Sequence, residues 1–276
     1  MKRRIRHLNC GTLRPLSARL TNGRGSLVER GEMVCHCLLV EQDDALVLVD
    51  AGIGQLDIDR RPRAGAFFDL LAEPAYDPLE TAARQVEALG YRIEEVKDIV
   101  LTHLDFDHAG GLADFPFARV HVSASELRAA TRPATLQDRW RYIPDQWAHG
   151  VSWQTYGGTA ERWFELEGAA ALDGLPGFWL VPLPGHSRGH CGVALETERG
   201  WLLHCGDAYY DRGQVDPRDP HCPIGSALFQ RISLSVAHEH AQSLEAIRRL
   251  LRYHSTEVLH LSSHDPAELE MFRGAW

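Results

Sequence analysis

The segment Thr102-His103-Leu104-Asp105-Phe106-Asp107-His108-Ala109-Gly110-Gly111 places two imidazoles and two carboxylates within six residues. Imidazole nitrogen and carboxylate oxygen are the donors that zinc, iron and manganese take. The segment follows the apolar run 98–102 (DIVLT), so a turn at the mouth of a strand would point all four side chains into one space. A solvated histidine-rich loop is the bland alternative, but four ligand-type residues between a strand and Ala-Gly-Gly favour a metal site. Three later segments share the form: Pro184-Gly185-His186-Ser187-Arg188-Gly189-His190, His204-Cys205-Gly206-Asp207-Ala208 and Ser262-Ser263-His264-Asp265 each follow or close a short apolar run. Taken singly, His186, Asp207 and His264 would read as loop or capping residues. Their common place at strand ends, where a sheet holds side chains rigidly, links them to the first motif.

The elements that must position these residues are legible as alternating strand and helix signals. Residues 34–40 and 45–50 are short apolar runs separated by the turn-like Gln42-Asp43-Asp44, and the second ends in Asp50-Ala51-Gly52-Ile53-Gly54. Residues 55–78 mix Arg, Pro and Gly and read as a loop or flap. Helical spacing at Leu79, Ala82, Ala83, Val86 and Leu89 stops at Gly90. A strand at 118–122 precedes a helix at 123–130 with Ser123 or Ser125 as its cap. Strands return at 178–183, 191–196, 201–205 and 258–261, with helices at about 235–253 and 266–272. Residues 131–177 hold Trp140, Trp147, Trp153 and Trp163 among prolines and glycines. This aromatic insertion reads as a lid or pocket wall, or else as a satellite core; the irregular spacing of its rings leans towards the pocket. The order of elements implies a layered α/β sandwich, taken as a single domain over residues 1–276.

Composition narrows the function classes. The 276 residues are 44% hydrophobic and 24% charged, which excludes fibrous and wholly disordered chains. A chain of this length buries roughly 75% of its unfolded surface without help from disulfides. The net charge of −9 speaks against nucleic acid or an anionic membrane as the main partner. No apolar stretch approaches the ~20 residues of a membrane span, and no apolar run follows the basic start MKRRIR to make a secretion signal. The six cysteines lack a disulfide framework, and Cys35 and Cys37 would share one strand face as reduced, buried thiols. A cytoplasmic location is expected, and a small molecule is the expected partner.

Read together, T-H-L-D-F-D-H-A-G-G, P-G-H-S-R-G-H, G-D-A, the late S-S-H and the early V-D-A-G resemble the motifs of the metallo-β-lactamase superfamily, in the expected order from Asp50 to His264. The chain looks most like the N-acyl-homoserine lactonase branch. The resemblance implies a four-layer αββα sandwich with two metals at one end of its sheets. It implies that His103, Asp105 and His186 hold the first metal, that Asp107, His108 and His264 hold the second, and that Asp207 bridges them. The superfamily's commonest motif has His where this chain has Asp105, although flavodiiron proteins carry an acidic residue there. A carboxylate hardens the first position, making iron or manganese rivals to zinc. Two divalent ions lower the pKa of a bridging water from about 16 towards 7, and the hydroxide would attack a carbonyl or phosphorus. Asp107 would bind metal and orient that hydroxide. Tyr210, three residues after Asp207, stands where the lactonase branch has a tyrosine assisting the carbonyl and leaving group, and is preferred to Tyr209.

Other histidines are weaker candidates. His190, four residues after His186, reads either as a support for the ligand residues or, in preference, as an ordinary loop residue, and His121 and His260 as core. His149 could meet substrate from the insertion. His221, His238 and His240 have no assignable partner. Four functions compete: a hydrolase of a small carbonyl ester, lactone or thioester; a phosphodiesterase on the same site; a di-iron redox protein; and a non-catalytic metal-binding sensor. The acidic charge, compact length and aromatic insertion favour the first. Superfamily nucleases usually add a basic arm or further domain, and neither is expected in this chain; flavodiiron proteins carry a flavin domain, for which 276 residues leave no room.

Overall fold

The computed structural model describes residues 3–42, 45–61, 65–158 and 160–273; Asp43 and Asp44 of the expected turn lie outside the described residues. Six strands form the first sheet in sequential order: β1 (Arg4–Leu13), β2 (Met33–Gln42), β3 (Ala45–Val49), β4 (Val96–Val100), β5 (Arg119–Ser123) and β6 (Ser152–Tyr156). β1, β2 and β3 pair antiparallel, and β3 through β6 run parallel. After a two-stranded hairpin of β7 (Arg162–Trp163) and β8 (Leu166–Glu167) comes the second sheet. It contains β9 (Ala170–Ala171), β10 (Phe178–Pro182), β11 (Cys191–Thr197), β12 (Gly200–His204) and β13 (Val258–Leu261), in the order β13-β12-β11-β10-β9.

The strands read as near-continuous apolar runs because both faces of each sheet are covered. Leu38, Val40, Val47 and Val49 turn inward and meet Phe178, Leu180, Val193, Leu195 and Leu202 of the second sheet. Their neighbours Cys37, Leu39, Leu46 and Leu48 turn outward against Ala82 and Val86 of the helix Ala82–Ala88 and against Ala129 and Ala130 of the helix Ala124–Thr131. On the far side, Ile247, Leu250 and Leu251 of the helix Ala237–His254 cover Val181, Ala194 and Leu203. Helix, sheet, sheet and helix stack as the expected αββα sandwich. Among the described residues, no helix is long and apolar enough to cross a membrane.

Several elements differ from the sequence reading. Residues 55–78, read as a loop, contain the helices Gln55–Asp59 and Ala66–Ala72; each opens on a glycine, Gly54 and Gly65, which broke the apparent period. The basic amino-terminal stretch supplies β1, and the helix Ile224–Ser233 was not anticipated. All six cysteines are free, with Cys35 and Cys37 both buried.

The aromatic insertion divides between the two expected roles. Thr135 and Asp138 form a reciprocal cap, each side chain bonded to the other's backbone N–H at 3.0 Å, which starts the helix Leu136–Arg141. Trp140 on that helix is 83% exposed, whereas Trp163 is 3% exposed and packs with Trp201. Trp147 and Trp153, expected in a pocket wall, pack instead against the outer core of the first sheet. Trp163→Ala should therefore cost roughly 3–5 kcal/mol, and Trp140→Ala no more than about 0.5 kcal/mol. Urea unfolding of both variants measures the difference.

Candidate metal centre

The carboxyl ends of β3, β4, β10, β12 and β13 deliver Asp50, His103, His186, Asp207 and His264 respectively to one edge of the sandwich. Asp50 sits at φ 55°, a strained backbone for a non-glycine residue. Gly52 follows at φ 67°, where a Cβ would lie 2.3 Å from Cys10. This bend turns the Asp50 carboxylate back across the end of β4: Oδ1 accepts from Thr102 N, and Oδ2 from Thr102 Oγ1, both at 2.8 Å, with His108 Nδ1 at 2.9 Å from Oδ2.

The His103 motif is one helical turn, Phe106–Ala109, rather than the irregular turn expected, with Asp105 at its N-cap. It continues as a 3-10 turn through Gly110–Asp114, letting Asp107 and His108 face inward side by side.

Hydrogen bonds to Nδ1 aim the imidazoles. Thr102 Oγ1, already donating to Asp50, accepts from His103 Nδ1 at 2.9 Å. Asp50 accepts from His108 Nδ1, and the Val34 carbonyl accepts from His264 Nδ1 at 2.8 Å. Each arrangement leaves the Nε2 lone pair for the centre of the cluster. In three overlapping triads, His103–Asp105–His186, His103–His108–Asp207 and Asp107–His108–His264, one donor atom of each member lies within 4.8 Å of the others. Asp207 stands among four imidazoles, at 3.1 Å from His264, 3.2 Å from His108, 3.3 Å from His186 and 3.9 Å from His103. The structure thus brings all seven residues together.

Whether these residues suit metal ions is tested by their unmet valences. His103 Nε2, His108 Nε2, Asp105 Oδ1 and Asp207 Oδ1 are buried without a hydrogen bond. Buried donors and acceptors are ordinarily paired, so four orphaned atoms on residues of one cluster fit a bound cation. Electrostatics agrees. Burial opposes the charge of Asp207, but His264, His108, His186 and His103 outweigh it and hold its carboxyl well below the usual range. Burial likewise opposes the charge of Asp105, which Arg141 and His103 hold well below normal. Asp107 is pushed up by burial and by the nearby Asp207 and Asp105, against the pull of His108 and His264. Burial lowers the His186 imidazole to about 4, while His108 is raised well above its ordinary value because Asp207, Asp107 and Asp50 overcome its desolvation.

Three residues, Glu126, Arg141 and Ser233, escape the sequence reading, and His190 takes the less favoured of its two expected roles. The Glu126 carboxylate, fully buried, accepts from Leu104 N (3.1 Å), Tyr142 Oη (3.0 Å), Ser187 Oγ (2.7 Å) and Gly189 N (2.9 Å). It thereby ties the His103 turn, the His186 loop and the insertion together. Arg141 donates from Nη1 to Asp105 Oδ2 at 2.8 Å and from Nη2 to the Ser233 carbonyl. The Ser233 hydroxyl lies 3.1 Å from Tyr210 Oη. His190, read as an ordinary loop residue, is buried, and its Nε2 accepts the Asp207 backbone N–H at 2.9 Å while Nδ1 donates to the Leu183 carbonyl. No local pattern marks these residues, because their partners are distant in sequence; the His186-to-His190 spacing was the one available signal.

Tyr210 donates to Asp207 Oδ2 at 3.1 Å, whereas Tyr209 points into the core towards His260 and Glu268. His121 pairs with Asp98 and Tyr156, and His240 with the Ala208 carbonyl. His149 is exposed and does not line the site. The cluster floors a cavity of about 250 Å³ walled by Leu13, Phe68, Leu71, Trp140, Phe229 and Ile232. A larger cavity of about 350 Å³ lies behind His190 and touches none of the seven ligand-type residues.

Residues 30–266 match the family model of the metallo-β-lactamase superfamily. A Mycobacterium tuberculosis protein described as a probable metallo-hydrolase is 41% identical over 271 residues, covering 98% of this chain and 83% of that one. An N-acyl homoserine lactonase of Bacillus cereus is 26% identical over 194 residues, 70% of each chain. Among solved structures, a variant of the Bacillus thuringiensis protein AiiA with N-decanoyl-L-homoserine at its active site shares the fold. Its TM-score is 0.72 at 19% identity, covering 98% of this chain and 96% of that one. The chain belongs to the metallo-β-lactamase superfamily. It is a metal-dependent hydrolase of that fold.

Glu126→Ala would leave two backbone N–H groups and two hydroxyls without their acceptor. It should destabilise the protein by at least about 3 kcal/mol and lower its metal content, as read by urea unfolding and elemental analysis. Glu126→Gln should be milder, because one acceptor oxygen remains.

Proposed function

We propose that the chain hydrolyses a small lactone or ester carrying an apolar acyl arm, using two divalent ions held by His103, Asp105 and His186 and by Asp107, His108 and His264, with Asp207 between them. The observation that carries this reading is the convergence of seven donor residues, five of which (Asp105, Asp107, His186, Asp207 and His264) line a largely apolar cavity. Zinc is the ion proposed. Four imidazoles suit it, and Arg141 shares the charge of Asp105, which makes the first position less anionic than a bare carboxylate would. Lewis acidity, which draws the pKa of water from about 16 towards 7, is the chemistry that such a pair supplies.

The chain's own residues do the rest. Asp107, at the cavity floor, orients the attacking water. Tyr210 keeps its proton, since burial and then Asp207 hold its hydroxyl well above the ordinary phenol range. It can therefore donate to the substrate carbonyl and then to the leaving oxygen. Phe68, Trp140, Phe229 and Ile232 give an acyl arm apolar contact and exclude water. The similarity to lactonases adds weight to a lactone over an open-chain ester.

The test joins elemental analysis of protein purified without added metal to a panel of lactones, esters, thioesters and phosphodiesters. The expected result is about two ions per chain and metal-dependent opening of lactones. Tyr210→Phe should lower kcat by about a hundredfold with the metal count unchanged. One ion or fewer after reconstitution, or turnover of phosphodiesters alone, would overturn the reading.

A further inference from the structure

The environment of the two metal positions is unequal. At the first, Arg141 Nη1 lies 2.8 Å from Asp105 Oδ2, and the Arg141 side chain is only 6% exposed. Its other terminal nitrogen donates to the carbonyl of Ser233, the last residue of the helix Ile224–Ser233. A helix carboxyl end attracts a cation, so the guanidinium is held from two sides and cannot swing into solvent without breaking both contacts. At the second position, Asp107 is paired with histidines, as is the shared Asp207, and among the described residues no Arg or Lys pairs with either.

We propose that Arg141 is a resident counter-cation of the first metal position: it holds Asp105 in place when no ion is bound there and makes that position the weaker of the two. The inference rests on the ligand assignment proposed above. A fixed positive charge beside a ligand carboxylate repels an arriving divalent ion, and at a few ångströms this repulsion is large even at the effective dielectric of a protein. The same charge relieves the cost of burying Asp105 unpaired. Arg141 therefore stabilises the metal-free protein and weakens the first ion's binding, two consequences of one contact.

Zinc affinity measured by competition with a chromophoric chelator, together with thermal unfolding with and without zinc, tests this. The full-length wild type should bind two zinc ions with affinities differing at least tenfold, and Asp105→Asn should lose the weaker. Arg141→Met should tighten the weaker ion at least tenfold. Its Tm without zinc should fall, and its zinc-induced rise in Tm should exceed that of the wild type, because ligand binding stabilises with the logarithm of affinity. Arg141→Lys, which keeps the charge, should stay within about threefold of wild-type affinity. A purely structural Arg141 would lower Tm equally with and without zinc and leave or weaken the affinity; that result overturns the inference. Two ions of equal affinity in the wild type overturn it even if Arg141→Met does not fold. Uptake of no zinc by the wild type would sink the ligand assignment itself, and this inference with it.

Discussion

Burying negative charge without compensation is the constraint on which this structure turns. Asp50, Asp107 and Asp207 are buried at one edge of the sandwich, and Asp105 nearly so. An uncompensated buried carboxylate costs several kcal/mol, and four together would repel one another besides. Each is therefore met by a partner: Asp50 by Thr102 and His108, Asp105 by Arg141 and His186, and Asp107 and Asp207 by the histidine ring around them. The imidazoles answer the carboxylates, and their remaining lone pairs are what a cation can use.

That balance requires fixed geometry, and the sheets supply it in a particular way. Parallel neighbours β3 and β4, and β12 and β13, end at the same edge, so their exits bring Asp50 beside His103 and Asp207 beside His264. The exits are then fastened by polar side chains. Asp50 closes the β4 turn, His190 holds the Asp207 backbone, and Glu126 fastens the turn of one sheet to the loop of the other. Gly206, at φ 55°, allows this approach, since a Cβ there would lie 2.5 Å from His190 Nε2.

How much of this the sequence carried follows the same division. The central strands were legible because burial on both faces makes them continuous apolar runs, and the ligand-type residues because each sits directly after such a run. β1 was hidden by its arginines and histidine, Arg4, Arg6 and His7, on a strand that pairs only with β2. The helix Ile224–Ser233 is missing from the sequence reading although Ile224, Leu228 and Ile232 recur at i, i+4 and i+8; that apolar face is exposed in the structure. Glu126 looked like an ordinary acidic residue in a helix's first turn, and Arg141 like a solvated cation. Their roles exist only after chain segments 16 to 92 residues apart have met.

The aromatic insertion shows why counting rings misjudged that region. Its rings mostly fill core, while its polar residues make the functional connections: Arg141 to Asp105, Tyr142 to Glu126, and Gln146 to the Phe106 carbonyl. Gln137, Trp140 and Arg141 all line the cavity, at the i, i+3 and i+4 spacing that shares one face of a helix. The face that would meet a substrate is thus the face that holds a ligand carboxylate. Trp140 contributes surface and little else, so the wall there is free to change shape. Arg141, one residue on, cannot change without disturbing the charge balance at the cluster. The helix Leu136–Arg141 thus carries, on one face, a cavity-wall residue that can vary and a partner of Asp105 that cannot.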